Sequence, residues 1–108
     1  MPRDHLIRFL AGAALAAFTG SAGADPAPDS EKLTHLVIQE CGSCHGLTLK
    51  GGLGTPLTAE HLEGLDRETI THIILTGIPG TPMPPWAPLM TEADADWIAD
   101  MLKQGALE

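Results

Sequence analysis

Cys41-Gly42-Ser43-Cys44-His45 is the stretch on which the reading of this chain turns. C-x-x-C-H is the attachment signature of a c-type haem. Two thiols three positions apart on a helical turn reach one edge of the macrocycle and form thioethers with its vinyl groups. The next residue, His45, then offers its imidazole to the iron as proximal ligand. Cys41 and Cys44 are the only cysteines among 108 residues, so the motif uses every thiol. The predicted cofactor is one haem c, attached through both.

A C-x-x-C pair also serves in zinc sites, thioredoxin-like redox centres and plain disulfides. A structural zinc draws four ligands, usually from two Cys/His clusters, whereas His5, His35, His61 and His72 are scattered singly. A thioredoxin-like pair lies between a strand and a helix of a βαβ unit, but the residues before Cys41 have helical spacing. A simple disulfide has no use for His45.

The N-terminus is consistent with haem attachment outside the cytoplasm. Residues 1–24 are expected to be a signal peptide, with Arg3 and Arg8 in the charged region (Asp4 dilutes it), Phe9 to Phe18 as the apolar region and Ala22-Gly23-Ala24 as the cleavage site. Ten apolar residues fall short of the ~20 needed to span a bilayer. No cysteine sits near the cleavage point to carry a lipid. The expectation is a soluble periplasmic protein with no stable membrane insertion after cleavage. Exported thiols oxidise unless something captures them, and haem attachment does so.

Removing 24 of 108 residues leaves 84, one small domain with residues 25–29 as a Pro-containing linker and 30–108 as the folded part. A chain this short buries a limited core and gains from a large apolar cofactor. It carries 13 acidic and 4 basic residues, a formal charge of −9. That balance argues against nucleic acid and anionic lipid as partners. It favours a partner with a basic face, or serves solubility alone.

Periodicity predicts an all-α chain. Ser30 is the expected cap of a helix from about Glu31 to Glu40, with Leu33, Leu36, Val37 and Glu40 on one face. Gly46 to Leu57 is glycine-rich loop. Thr58 to Leu62 is expected as a short helix stopped at Gly64. Asp66 caps a helix over 67–76 with Ile70, Ile73 and Ile74 inward and Gly77 beyond its end. Ile78 to Pro88 holds five prolines and is expected to be irregular. Thr91 and Asp94 form a capping box for a last helix that carries Trp97, Ile98, Met101 and Leu102 and ends at Gly105.

A histidine on one side of the iron leaves a sixth position. Met101 lies on the apolar stripe of the last helix and is expected in the core. Met90 sits at the N′ position as a staple. His35, His61 and His72 are expected on the surface. Met83 stands in Gly80-Thr81-Pro82-Met83-Pro84-Pro85-Trp86, where flanking prolines keep the segment out of a helix and stiffen it. A thioether on a rigid loop suits low-spin iron in both oxidation states, so His45 and Met83 are the predicted metal ligands. His/Met ligation raises the reduction potential and leaves no open site for a substrate, as expected of an electron carrier rather than an enzyme. A gas-binding protein with a displaceable Met83 is the alternative of a different class. The other ring N–H of His45 needs an acceptor; the Pro56 carbonyl is expected to supply it, with Leu57 packed on the haem and Trp86 in the core.

With C-x-x-C-H, then Gly54-Thr55-Pro56-Leu57, then a Pro-flanked Met83 before the last helix, the chain resembles class I cytochromes c over residues 30–105. Cys41-Gly-Ser-Cys-His-Gly-Leu-Thr-Leu-Lys-Gly-Gly-Leu-Gly54 and Gly80 to Trp86 resemble the small cytochrome c-55X family associated with haem cd1 nitrite reductase. The resemblance implies three to four helices around one covalent haem, with the terminal helices crossing near it. Cys41 and Cys44 would be the attachment residues, His45 and Met83 the ligands, and Pro56 the carbonyl partner. It implies electron donation to nitrite reductase in denitrification or, alternatively, assistance in maturation of the d1 haem.

Overall fold

The computed structural model describes residues 26–108 together with Gly12 and Ala14. The expected signal peptide, those two residues apart, and Asp25 of the linker lie outside the described residues.

Helix α1 (Ser30–Leu36) starts at an N-cap one residue earlier than expected. The Asp29 carboxylate accepts the N–H of Lys32 at 3.1 Å, because Lys32 is the third helical residue and the Asp side chain reaches that orphan donor. Ser30 is therefore helical. The helix does not stop at Glu40 either. It passes through a π turn, Val37–Cys41, into α2 (Gly42–His45), so the whole C-x-x-C-H stretch is its last turns. Cys41, the last residue of the wider turn, packs against the core.

Leu49 anchors the glycine-rich loop that follows. It is fully buried, with 0% of its surface exposed, at a φ of +60°. A left-handed non-glycine residue costs about 1–2 kcal/mol, which burial of a leucine, worth about 1.5–3 kcal/mol, offsets. Its N–H bonds the Gly46 carbonyl and its carbonyl accepts from Leu57, each at 2.8 Å. The helix expected at Thr58 to Leu62 is only turns, closed by Leu62 N–H to the Thr58 carbonyl at 3.0 Å. So short a stretch cannot repay the cost of helix nucleation.

Helix α3 (Arg67–Thr76) has Asp66 as N-cap and Gly77 as C-cap. Helix α4 (Glu92–Lys103) has the Thr91–Asp94 capping box. Both begin where the sequence predicts. The proline-rich segment between them holds one 3₁₀ turn, Ala87–Leu89. Helices α1 and α3 pack on α4. The core joins Leu33 and Val37 to Ile70 and Ile74 and to Ala95, Ile98, Ala99 and Leu102. Of the expected inward faces, Leu36, Ile73, Trp97 and Met101 are only half-buried and Glu40 is exposed. Arg67 lies 3.5 Å from both Asp96 and Asp100, and the Thr71 hydroxyl donates to Asp96 at 2.7 Å. These contacts fix how α3 lies along α4. Among the described residues there is no strand.

Candidate functional site

The packing leaves a cavity of about 730 Å³ between the end of the first helix, the loop after it, α3, the proline-rich strap and α4. Its volume is within the range that encloses a cofactor-sized molecule. Leu57, Leu62, Ile70, Ile74, Ile98 and Leu102 give it apolar walls.

Cys41, Cys44 and His45 line it from the helix end and Met83 from the strap. The two cysteines are free thiols. Burial pushes the Cys41 thiol up to about 11, and the neighbouring Glu40 carboxylate adds to the shift.

The His45 ring is fixed from behind by the loop. Its Nδ1–H donates to the Thr55 carbonyl at 2.6 Å, which settles the tautomer and leaves Nε2 as the nitrogen free to ligate a metal. The acceptor is thus not the Pro56 carbonyl but the one before it. Proline restricts its predecessor to extended backbone, while the Pro56 ring itself packs over Gly51, at whose Cβ position it would lie 3.4 Å away. Gly54 makes the approach possible: a Cβ there would stand 2.8 Å from Nδ1 and Cε1 of His45. Gly54 N–H reaches back to the Cys44 carbonyl at 2.8 Å, so the loop is tied to the motif it supports.

The remaining candidates separate cleanly. His35, His61 and His72 are exposed and outside the cavity. Met101 is half-buried and also outside it. Met90 does line the cavity besides packing against the core. Its N′ position explained the packing but gave no hint of the cavity. Leu57 and Trp86 line the wall, both partly buried against the core.

Residues 28–102 match the family described as cytochrome c oxidase, cbb3-type, subunit III. The chain belongs to this family of c-type cytochromes. It is 56% identical over 88 residues to cytochrome c55X of Paracoccus denitrificans (strain Pd 1222), covering 82% of this chain and 85% of the relative. It is 52% identical over 87 residues to cytochrome c55X of Pseudomonas aeruginosa, covering 78% and 73%. Among solved structures, c-type cytochrome NirC superposes with a TM-score of 0.71 at 51% identity, over 74% of this chain and 98% of that one. Dihydro-heme d1 dehydrogenase NirN in complex with DHE matches with a TM-score of 0.62 at 35% identity, over 66% of this chain and 15% of NirN. The fold is that of a class I cytochrome c, and the cytochrome is an electron carrier with a covalently bound haem c. The cavity fits that group: apolar walls, two free thiols and the His45 ring, whose Nε2 the Thr55 bond leaves as the acceptor nitrogen, meet in one space. No helix among the described residues is long and apolar enough to cross a membrane.

Proposed function

We propose that the protein is a periplasmic one-electron carrier whose haem is attached through Cys41 and Cys44 and ligated by His45 and Met83, and that it reduces a cd1-type nitrite reductase during denitrification. The observation that carries the reading is the meeting of these four residues in one apolar cavity, with His45 and Met83 delivered by separate elements. Bound haem supplies a one-electron couple. The chain's residues do the rest. Thr55 holds the imidazole in one tautomer and strengthens it as a donor. The thioether raises the potential relative to a second histidine. The apolar walls would shield a haem held by His45 and Met83 from water, and with both residues bonded to its iron no place would remain there for a substrate, which suits an electron carrier. The excess of acidic residues suits a partner with a basic docking face and makes association faster at low ionic strength.

Two measurements test this. The oxidised holoprotein should show an iron–sulfur charge-transfer band that Met83→Ala abolishes and Met90→Ala retains; the reverse pattern would move the ligand to Met90. Stopped-flow mixing of the reduced cytochrome with cd1 nitrite reductase should give rapid oxidation that slows as salt is added. Slow, salt-independent transfer refutes the partner.

The match to NirN, a dihydro-heme d1 dehydrogenase, favours a second reading in which the protein assists d1 haem maturation. Saturable binding of a d1 haem or its precursor to the holoprotein would favour it over electron delivery.

A further inference from the structure

The strap that carries Met83 is closed on itself and on the end of α3. Trp86 N–H bonds the Ile74 carbonyl at 3.0 Å, and Ile78 N–H bonds the Met83 carbonyl at 3.2 Å. Inside that ring, Thr81 Oγ1 donates to the Ile78 carbonyl at 2.7 Å and accepts the Met83 N–H at 3.3 Å. Both main-chain polar groups of Met83 are thereby engaged within the strap.

Gly77 is where the strap meets the helix. It is buried, with φ +66° and ψ −173°, a combination open essentially to glycine alone. A Cβ there would stand 2.7 Å from the Met83 carbonyl oxygen, 2.8 Å from the Pro84 carbonyl carbon and 2.8 Å from the Pro85 nitrogen. All three are backbone atoms, so no side-chain rotation relieves the contact.

We propose that Gly77 is a positioning residue for Met83: its missing side chain lets the strap seat on the α3 terminus, which holds the thioether at the cavity whether or not it is bonded to iron. The proposal rests on Met83 as axial ligand. A seated strap limits competition by outside ligands, because they bind only to the fraction of molecules whose strap has opened. Any side chain at 77 lifts the strap and raises that fraction.

The test uses holoproteins and imidazole as the outside ligand for oxidised iron. Gly77→Ala should bind imidazole about 5- to 150-fold more tightly than wild type, the factor corresponding to about 1–3 kcal/mol of strain. Its iron–sulfur charge-transfer band should weaken in parallel. Gly64→Ala is the control, since a Cβ at Gly64 meets nothing within 4 Å; it should match wild type in both respects. Wild-type band and wild-type imidazole affinity in Gly77→Ala overturn the proposal. Should Gly77→Ala not accumulate, Thr81→Val removes two bonds of the same ring and should shift both readouts in the same direction. No change there also overturns it. If Met83 is not the ligand, the failure looks different: the band survives in Met83→Ala, whatever Gly77 does.

Discussion

Replacing Gly54 by alanine isolates what the loop does for the histidine. The new Cβ would lie 2.8 Å from Nδ1 and Cε1 of His45 and 3.3 Å from Cγ. Non-bonded carbons prefer about 3.5–4.0 Å, so ring or loop must retreat by roughly 0.7 Å. Gly54 does not have a positive φ, so the effect is contact alone and not backbone strain. Retreat of the loop carries the Thr55 carbonyl away from Nδ1, at present 2.6 Å off. Overpacking costs about 1–3 kcal/mol and a weakened hydrogen bond about 0.5–1.5 kcal/mol. The holoprotein should therefore lose roughly 1.5–4.5 kcal/mol of stability by denaturant titration. The potential should rise, because a histidine that shares its proton less with a carbonyl is a poorer donor to oxidised iron. The scale is about 59 mV for each tenfold change in the relative stability of the two oxidation states. Equilibrium unfolding and redox titration of both proteins supply the check. A Gly54→Ala protein with unchanged stability and potential refutes the idea that the loop positions His45.

Three further outcomes follow from the same geometry. Cys44→Ala should accumulate little holoprotein, because one thioether and half the attachment signature are lost; normal yield of intact haem protein would show that Cys44 is not needed for attachment. Ile98→Ala removes a side chain that is 1% exposed and shared by the core and the cavity wall, and should cost about 2–5 kcal/mol in chemical denaturation; a loss under 1 kcal/mol would mean the haem cavity simply collapses around the gap. Asp66 is held below the usual carboxylate range by its bonds to Thr69, with the backbone N–H at 2.8 Å. A depressed folded-state value stabilises the protein above the unfolded pKa of about 3.9 and stops doing so as pH falls through the folded value. The stability gap between wild type and Asp66→Ala should thus narrow below about pH 4, as read by thermal melts across the acid range, whereas a gap constant to acid pH would place the effect elsewhere.

Much of the fold was legible because helix ends are local. Asp66 with Gly77, and Thr91 with Asp94, act on backbone groups within four residues, so their bounds are readable without a structure. The first helix shows the limit of the same logic. Asp29 and Ser30 are both good caps, and nothing in the local sequence announces a π turn at Val37–Cys41. Leu49 looks like a loop residue and is a core residue, because its burial depends on partners distant in sequence. Met90 and Met83 differ in sequence by their proline flanks, yet both line the cavity.

By itself, then, the sequence determined the helical class and a covalently bound haem c, and it singled out Cys41, Cys44, His45 and a proline-flanked Met83 as the residues to hold that haem, since each depends on residue type and short spacing. Only the tertiary structure decided which carbonyl faces His45, which methionines reach the cavity and what holds the strap in place. Those are contacts between segments that meet only when α1 and α3 close on α4, and short-range spacing carries no record of them.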